Sequence, residues 1–141
     1  MHKVFVYGTI KRGFPNDITG VIDFRFIGRC WTLNAFPLVV GGKWFSPYLI
    51  AEPGVGHRVF GEVLEVDDLA LEKLDRMEGT HVPNGYRRIN TTIESEDGKT
   101  TFDAWAYVKD RDDIEGIHSE PMKEYTLDPR YVIPAKRTSD F

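Results

Sequence analysis

The sequence predicts an α+β domain, a small and mostly antiparallel β-barrel with one flanking α-helix. Runs typical of strands dominate the 141 residues, and only one segment has the periodicity of an amphipathic helix. Glycines also stand inside strand-like runs, where a sheet that closes into a barrel needs them at its corners. A chain of this length can bury about two-thirds of the surface that its unfolded form exposes, so one domain with a full core is expected.

Short runs of β-branched and aromatic residues define the predicted strands. They lie at residues 4–7, 21–27, 31–40 with an interruption at Pro37, 47–51, 57–66, 86–94 and 101–108. In the second run, Asp23 and Arg25 alternate with apolar neighbours, which is typical of a half-buried strand. Gly61 inside the fifth run predicts a bulge or a sharp bend. The last two runs predict a hairpin through Asp97-Gly98, a pair favoured in type I′ turns.

The predicted helix covers residues 68–78. Asp67 or Asp68 can cap its start, and Gly79 stands where a helix of this length takes its C′ glycine. Apolar residues recur at helical spacing at Leu71, Leu74 and Met77. We expect residues 1–127 to form the domain and residues 128–141, which carry two prolines, to form an extended C-terminal tail.

Composition excludes several classes of function. The chain has 18 basic and 22 acidic residues and no basic stripe with interleaved aromatics, so nucleic acid is not an expected partner. No apolar run approaches the roughly 20 residues of a membrane span, and the N-terminus lacks the apolar core of a signal peptide. Cys30 is the single cysteine, and we expect it to be buried in the core of a cytoplasmic protein. The oligomeric state stays open.

The first candidate for a functional site is the corner that follows the first strand. The apolar run ends in Tyr7-Gly8-Thr9-Ile10, where a glycine leaves consecutive backbone N–H groups open to a ligand. Such a corner can hold a carboxylate or a developing oxyanion. Tyr7 is expected to form a wall of the site or to donate a hydrogen bond there. The alternative is that it is a core aromatic at the end of a strand.

Glu78 is the second candidate, because it stands on the same helical stripe as two leucines. Apolar neighbours and the negative end of the helix dipole both disfavour its ionisation, so we expect its pKa to be raised toward neutrality. A carboxyl group of this kind can take and give protons at physiological pH. The alternative is that it frays outward and pairs with Arg87 or Arg88. Glu72 and Asp75 lie off the stripe and are expected to be solvated.

Other motifs give no support for a metal, a nucleotide or a serine nucleophile. Residues 8–13 have the glycine spacing of a phosphate loop, but Phe14 and Pro15 stand where Lys and Ser or Thr are needed. The histidines have no metal-ligand spacing; they are His2, His57, His81 and His118. We therefore expect no metal and no cofactor. Trp44, Phe45 and Tyr48 either line a groove or pack in the core.

Taken together and in order, these motifs resemble the γ-glutamylcyclotransferase superfamily, in particular its γ-glutamylamine cyclotransferase (AIG2-like) branch. Tyr7-Gly8-Thr9-Ile10 resembles the turn that cradles the substrate, and Leu74-Asp75-Arg76-Met77-Glu78-Gly79 resembles the segment that carries the general acid–base. Tyr86-Arg87-Arg88 matches the Tyr-x-Arg that follows. Ile10 replaces the usual leucine of the turn, a change that should leave the backbone donors unaltered. Residues 81–85 and the tail do not match closely.

The resemblance implies a γ-glutamylcyclotransferase-like barrel with the site at its mouth. It implies intramolecular aminolysis, in which a γ-glutamyl amine cyclises to 5-oxoproline and releases the amine. Glu78 would be catalytic, Tyr7, Gly8, Thr9 and Ile10 would bind the γ-glutamyl substrate, and no metal or cofactor would be needed. The best candidate substrate is γ-glutamyl-ε-lysine. The alternatives are a cyclotransferase for γ-glutamyl amino acids or glutathione, and a non-catalytic small-molecule-binding protein on the same fold.

Overall fold

The structure is a computed structural model that describes residues 1–138. The strands are β1 (His2–Val6), β2 (Arg25–Phe36), β3 (Leu38–Gly41), β4 (Ser46–Leu49), β5 (His57–Val66), β6 (Arg87–Ser95) and β7 (Thr101–Val108). The helix α1 spans Asp68–Glu78, and short 3₁₀ helices cover Arg111–Asp113 and Pro134–Lys136. The far end of the predicted tail, residues 139–141, lies outside the described residues.

Five strands close into a barrel in the order β1, β5, β2, β6 and β7. Four of the five seams are antiparallel, and the barrel closes where β1 runs parallel to β7, with Val4 opposite Trp105 and Phe5 opposite Ala106. The remaining strands, β3 and β4, form a separate antiparallel ribbon. The predicted α+β fold, a mostly antiparallel barrel with a flanking helix, is confirmed.

The alternation of side chains along β1 builds two cores at once. Phe5 belongs to a buried cluster to which every barrel strand contributes, and which fills the barrel interior. The same cluster contains Cys30, Val63, Ile93, Ala104 and Ala106. Val4 and Val6 point to the opposite face, where they pack with Leu71 and Leu74 of α1. The prediction that Cys30 is buried is confirmed, and burial raises the pKa of its thiol to about 12.

The strand prediction was wrong for the second and third runs. The chain is not yet in a strand at Asp23, and a single strand, β2, then continues from Arg25 to Phe36. The sequence predicted one strand ending at Ile27 and another beginning at Trp31. Pairing with β5 nevertheless carries β2 through Gly28, helped by an irregularity in the register between Phe26 and Gly28. The interruption predicted at Pro37 is confirmed.

The structure bears on two predictions about glycines. The sequence predicted a bulge or a sharp bend at Gly61, and the bulge is absent, because Gly61 pairs with Cys30 in regular register. The position needs glycine for a different reason, because a Cβ there would lie 2.4 Å from the carbonyl oxygen of Val6. The β6–β7 hairpin is present, but its turn is not type I′, since Gly98 has a φ of 74° while Asp97 does not adopt the left-handed conformation.

The helix has the predicted bounds and both predicted caps. The Asp67 carboxylate accepts a hydrogen bond from the backbone N–H of Ala70 at 2.8 Å. Gly79 is left-handed, with a φ of 72°, and its N–H donates to the carbonyl of Arg76. Met77 departs from the expected apolar face, because its side chain is 48% exposed. No helix among residues 1–138 is long and apolar enough to cross a membrane.

Candidate active site

A cavity of about 650 Å³ opens where β1 ends, beside the last turn of α1. Its lining includes all the residues that the sequence predicted for a site: Tyr7, Gly8, Thr9, Ile10 and Glu78. They meet because β1 packs on α1 through Val4 and Val6, so the end of the strand and the end of the helix reach the same mouth. The fold therefore brings two candidates some seventy positions apart in sequence to one cavity.

The corner after β1 presents a row of free backbone donors. Within the described residues, the N–H groups of Gly8, Thr9 and Ile10 donate to no protein acceptor. The carbonyls of the same corner are engaged, since Gly8 accepts from the N–H of Lys11 and Thr9 accepts from the N–H of Asn16. The turn is therefore held through its acceptors while its donors stay available. Consecutive N–H groups of this kind form an anion-binding concavity.

Gly8 is required at this corner by packing. Its φ is not in the left-handed region, but a Cβ would lie 2.8 Å from Cγ of Pro47. Pro47 belongs to β4, so the glycine lets the β3–β4 ribbon close over the end of β1. The absence of a side chain thus serves the neighbouring ribbon as well as the approach of a ligand.

Tyr7 combines the two alternatives that the sequence left open. Its side chain is buried in the core cluster, and it also lines the cavity. Its hydroxyl donates to the carbonyl of Tyr107 at 2.7 Å and accepts from the N–H of Leu49 at 3.3 Å. Burial, and then the nearby Glu78 carboxylate, raise the pKa of this phenol. Tyr7 therefore stays protonated, with its proton directed to the backbone of β7.

Glu78 lies half-buried at the mouth with no charged partner. Burial raises its pKa to about 7, in agreement with the direction that the sequence predicted. Within the described residues, no hydrogen bond or cation lowers it again. Pairing with the neighbouring arginines does not occur, because Arg87 pairs with Asp110 and Arg88 pairs with Asp75. The carboxyl group is therefore free to exchange a proton near neutral pH.

A tight loop holds Tyr86 beside Glu78. The N–H of Tyr86 donates to the carbonyl of Glu78 at 3.2 Å, and the loop closes so tightly that a Cβ on Gly85 would lie 1.9 Å from the carbonyl oxygen of Gly79. The Tyr86 ring stacks on Tyr48, with centroids 5.7 Å apart. Burial raises the pKa of Tyr86 well above its ordinary value. The two rings form a neutral aromatic wall of the cavity.

Behind the site, Asp75 connects the helix to the barrel. Its carboxylate accepts a hydrogen bond from the hydroxyl of Tyr107 at 2.8 Å and lies 3.2 Å from Nε of Arg88. The prediction that Asp75 is solvated was wrong, because β6 and β7 supply partners that lie far away in sequence. Glu72 is exposed, as predicted, and pairs with Arg76 one turn along the helix.

The C-terminal segment also contributes to the lining of the cavity. Tyr131 and Arg137 line the cavity, and the amide of Asn16 donates to both the Thr9 hydroxyl at 2.8 Å and the Tyr131 hydroxyl at 2.7 Å. The N–H of Val132 donates to the carbonyl of Trp44 at 3.1 Å, which fixes the segment on the loop after β3. Of the three aromatics considered for a groove, Tyr48 lines the cavity. Trp44 and Phe45 lie beneath Arg137 and Arg130, respectively.

Sequence reasoning missed the residues that reach the cavity through long-range contacts. These residues are Asn16, Tyr107, Lys109, Tyr131 and Arg137. A regular alternation in β7 could have marked Tyr107 as a residue of the helix-facing surface, but no local signal marks the others. Among residues 1–138, no group of three His, Cys, Asp or Glu side chains could hold a metal ion. The raised pKa of Glu78 and the free N–H groups of residues 8–10 suit proton transfer beside an anion-binding corner.

The fold and this site define a known class of enzyme. The family model described as gamma-glutamyl cyclotransferase, AIG2-like, matches residues 4–127. Because the match covers most of the chain, the chain belongs to that family and is a cyclotransferase enzyme.

Individual relatives are similar over most of the chain. The gamma-glutamylaminecyclotransferase of Bos taurus is 38% identical over 128 residues, which cover 86% of this chain and 74% of the bovine protein. Gamma-glutamylaminecyclotransferase B of Danio rerio is 35% identical over 133 residues, covering 89% of this chain and 68% of that protein. The crystal structure of an AIG2-like protein from Mus musculus superposes with a TM-score of 0.79 at 29% identity, covering 97% of this chain and 99% of the other.

Proposed function

We propose that this enzyme is a γ-glutamylamine cyclotransferase that uses Glu78 as its general acid–base and converts γ-glutamyl-ε-lysine into 5-oxoproline and free lysine. The observation that carries the proposal is the meeting, in one cavity, of an unpaired carboxyl group with a pKa of about 7 and three free backbone N–H groups. The names of the bovine and zebrafish relatives support the γ-glutamylamine class.

The N–H groups of Gly8, Thr9 and Ile10 would bind the glutamyl part of the substrate. These donors have no protein acceptor within the described residues, so a substrate oxygen would satisfy them without breaking an existing bond. Donors of this kind that are aimed at a developing oxyanion contribute on the order of 10²- to 10³-fold in rate. Tyr7 would hold the corner in position, because its hydroxyl donates a hydrogen bond to the carbonyl of Tyr107.

Glu78 would transfer two protons from the α-nitrogen of the substrate to the leaving nitrogen. It first removes a proton from the α-ammonium, and the free amine then attacks the γ-carbonyl carbon. A bond forms between the α-nitrogen and the γ-carbon, the amide C–N bond breaks, and Glu78 returns the proton to the leaving nitrogen. Glu78 then takes the second proton from the ring nitrogen, which becomes the lactam N–H of 5-oxoproline, and the released amine leaves with that proton as an ammonium. No water and no oxidant enter this balance. General acid–base catalysis of this kind contributes about 10²- to 10⁴-fold.

The substrate carries its own nucleophile, which explains why the site needs so few groups. A tethered, well-oriented nucleophile can act with an effective molarity on the order of 10⁵ M or more. The neutral wall of Tyr48 and Tyr86 favours this orientation, because it packs the chain of the substrate without competing for its proton.

A turnover assay with a matched variant tests the proposal. The protein is incubated with γ-glutamyl-ε-lysine, γ-glutamylalanine and glutathione, and 5-oxoproline is measured for the wild type, Glu78→Gln and Glu72→Gln. Glu72 lies on the same helix but is exposed and paired with Arg76, so its variant controls for the loss of a helix carboxylate. We expect turnover of the isopeptide to fall at least about a hundredfold in Glu78→Gln alone. Full activity of Glu78→Gln would remove Glu78 from the mechanism, and preference for another substrate would reassign the leaving group.

We further propose that residues 1–127 are the catalytic domain, that residues 128–138 complete the wall of its site, and that the enzyme acts in the cytoplasm. The span of the family match supports the first assignment. The cavity contacts of Tyr131 and Arg137 support the second. A buried free thiol at Cys30 is compatible with the third.

A further inference from the structure

We propose that Arg137 determines substrate specificity by binding the carboxylate of the leaving amine, and so selects γ-glutamyl amines whose amine carries a carboxylate away from the scissile bond. The inference rests on the proposed function and assigns the second half of the substrate to a residue of the C-terminal segment. Arg137 lines the same cavity as Glu78.

Arg137 is held in place by neutral acceptors. Its Nε donates to the carbonyl of Val132 at 3.0 Å, and its Nη2 donates to the hydroxyl of Tyr131 at 3.3 Å. Tyr131 is itself anchored by Asn16. The half-buried guanidinium is thus fixed on one side, while its positive charge has no counterion in the described part of the chain. A fixed and uncompensated cation in a cavity is a receptor for an anion.

Most of the other described arginines have a carboxylate partner, unlike Arg137. Described ion pairs give a carboxylate partner to seven of them: Arg25, Arg58, Arg76, Arg87, Arg88, Arg111 and Arg130. Arg12 and Arg29 lie over aromatic rings outside the cavity lining. Among the described arginines, Arg137 is therefore the one that both lines the cavity and has no acidic partner.

Lys109 is the other cation of the cavity. Its Nζ donates to the carbonyl of Asn84 and lies 5.3 Å and 5.4 Å from the ring centroids of Tyr48 and Tyr86. Arg137 likewise donates to a carbonyl and lies 6.0 Å and 5.7 Å from the ring centroids of Trp44 and Tyr131. The two cations differ in donor geometry, because the planar, forked guanidinium matches a carboxylate in two parallel hydrogen bonds and an ammonium group does not.

The position of Arg137 relative to Glu78 indicates which carboxylate it binds. The guanidinium contacts Val132, Tyr131 and Trp44, which belong to the C-terminal segment and the loop after β3. Glu78, in contrast, stands at the end of α1. The free N–H groups of the corner after β1 serve the glutamyl half near the reacting centre. What remains for Arg137 is an anionic group on the departing half. In γ-glutamyl-ε-lysine, the lysine carboxylate lies at the far end of the side chain from the amide bond.

Binding measurements without turnover test this assignment separately from catalysis. Calorimetry gives the Kd of γ-glutamyl-ε-lysine and of γ-glutamyl-1,5-diaminopentane, which lacks only the lysine carboxylate, for Glu78→Gln protein alone and combined with Arg137→Gln or Arg130→Gln. Arg130 is the matched control, because it lies in the same segment but pairs with Asp128 and is not part of the cavity lining.

We expect Arg137→Gln to weaken binding of the isopeptide on the order of 10- to 100-fold, the effect of losing a charge-assisted pair, and to leave binding of the diaminopentane derivative unchanged. Arg130→Gln should change neither. Equal weakening of both probes, no weakening of either, or no binding of the isopeptide by the parent protein overturns the assignment. If the isopeptide binds in an Arg137-dependent way but the wild type releases no 5-oxoproline from it, the proposed function fails while the carboxylate subsite stands.

Discussion

The hydroxyl of Tyr7 donates a 2.7 Å hydrogen bond to the backbone carbonyl of Tyr107, and this bond connects the two strands along which the barrel closes. The donor belongs to the corner after β1, and the acceptor belongs to β7. A residue that resembles a substrate-binding tyrosine thus also secures the parallel seam of the barrel. Its structural and functional contributions can be separated by measurement.

Tyr7→Phe is expected to reduce stability more than catalysis. The change removes the partner of the buried Tyr107 carbonyl and of the Leu49 N–H, which costs about 1–3 kcal/mol of the free energy of unfolding. Urea denaturation measures this loss, and the 5-oxoproline assay should show less than a tenfold decrease in kcat. An unchanged free energy of unfolding with a large loss of kcat would place the hydroxyl in the chemistry.

The pH dependence of kcat/KM should report the ionisation of Glu78. Because only the ionised carboxylate can accept the substrate proton, log kcat/KM should rise with pH at a slope near one and level off above a pKa of about 7. The residual activity of Glu78→Gln should lack this limb. A rise centred near the ordinary carboxyl pKa of 4.5 would contradict the assignment.

The contribution of Glu78 to the free energy of unfolding should decrease as pH rises, whereas kcat/KM should increase. The folded protein holds the Glu78 proton more tightly than the unfolded chain, since burial raises the pKa from 4.5 to about 7. The contribution of this group to the free energy of unfolding is therefore full below pH 4.5 and is lost as pH rises through 7. The shift converts to ~3 kcal/mol, and partial exposure reduces this to roughly 1–2 kcal/mol.

Glu78→Gln should therefore be more stable than the wild type at pH 8 by that amount, and about equal to it at pH 4. Urea denaturation of both proteins at the two pH values measures the difference, with Glu72→Gln as the control for the loss of a carboxylate from the same helix. A difference between Glu78→Gln and the wild type that is the same at both pH values would mean that burial does not shift the ionisation.

Two glycines of the barrel should respond in opposite ways to alanine. A Cβ at Gly61 would lie 2.4 Å from the Val6 carbonyl oxygen and 2.8 Å from the Phe5 ring, so Gly61→Ala should lose about 1–3 kcal/mol of the free energy of unfolding, or more. A Cβ at Gly28 meets nothing within 4 Å, so Gly28→Ala should be neutral or slightly stabilising. Thermal or urea denaturation of the pair tests the close approach of β1 to β5, and equal losses would argue against it.

The parts of the fold that could be predicted are those fixed by local chemistry. Asp67 and Gly79 cap the helix through neighbouring backbone groups, so the helix bounds follow from the sequence. The continuity of β2 depends on pairing with β5, and the pairing of β1 with β7 joins segments about a hundred residues apart. No local pattern encodes such pairings, because their stability comes from the partner strand.

The same distinction applies to the site. The position of Glu78 on an apolar stripe is a local property, and its raised pKa follows from that position. Asp75 lies three residues earlier, and its partners Tyr107 and Arg88 come from β7 and β6. Because these partners are distant in sequence, Asp75 was expected to be solvated, whereas the structure shows it half-buried and paired. Arg137 reaches the cavity only because its segment folds back along the body of the protein.

The arrangement of β1 also has a consequence for synthesis on the ribosome. Among the barrel strands β1 leaves the exit tunnel first, yet one of its neighbours, β5, ends at Val66 and the other, β7, ends at Val108. The glycine corner therefore has no partner strand on one side until β7 has been translated. Chains that stall within β7 should contain both the corner and Glu78 without assembling the cavity between them.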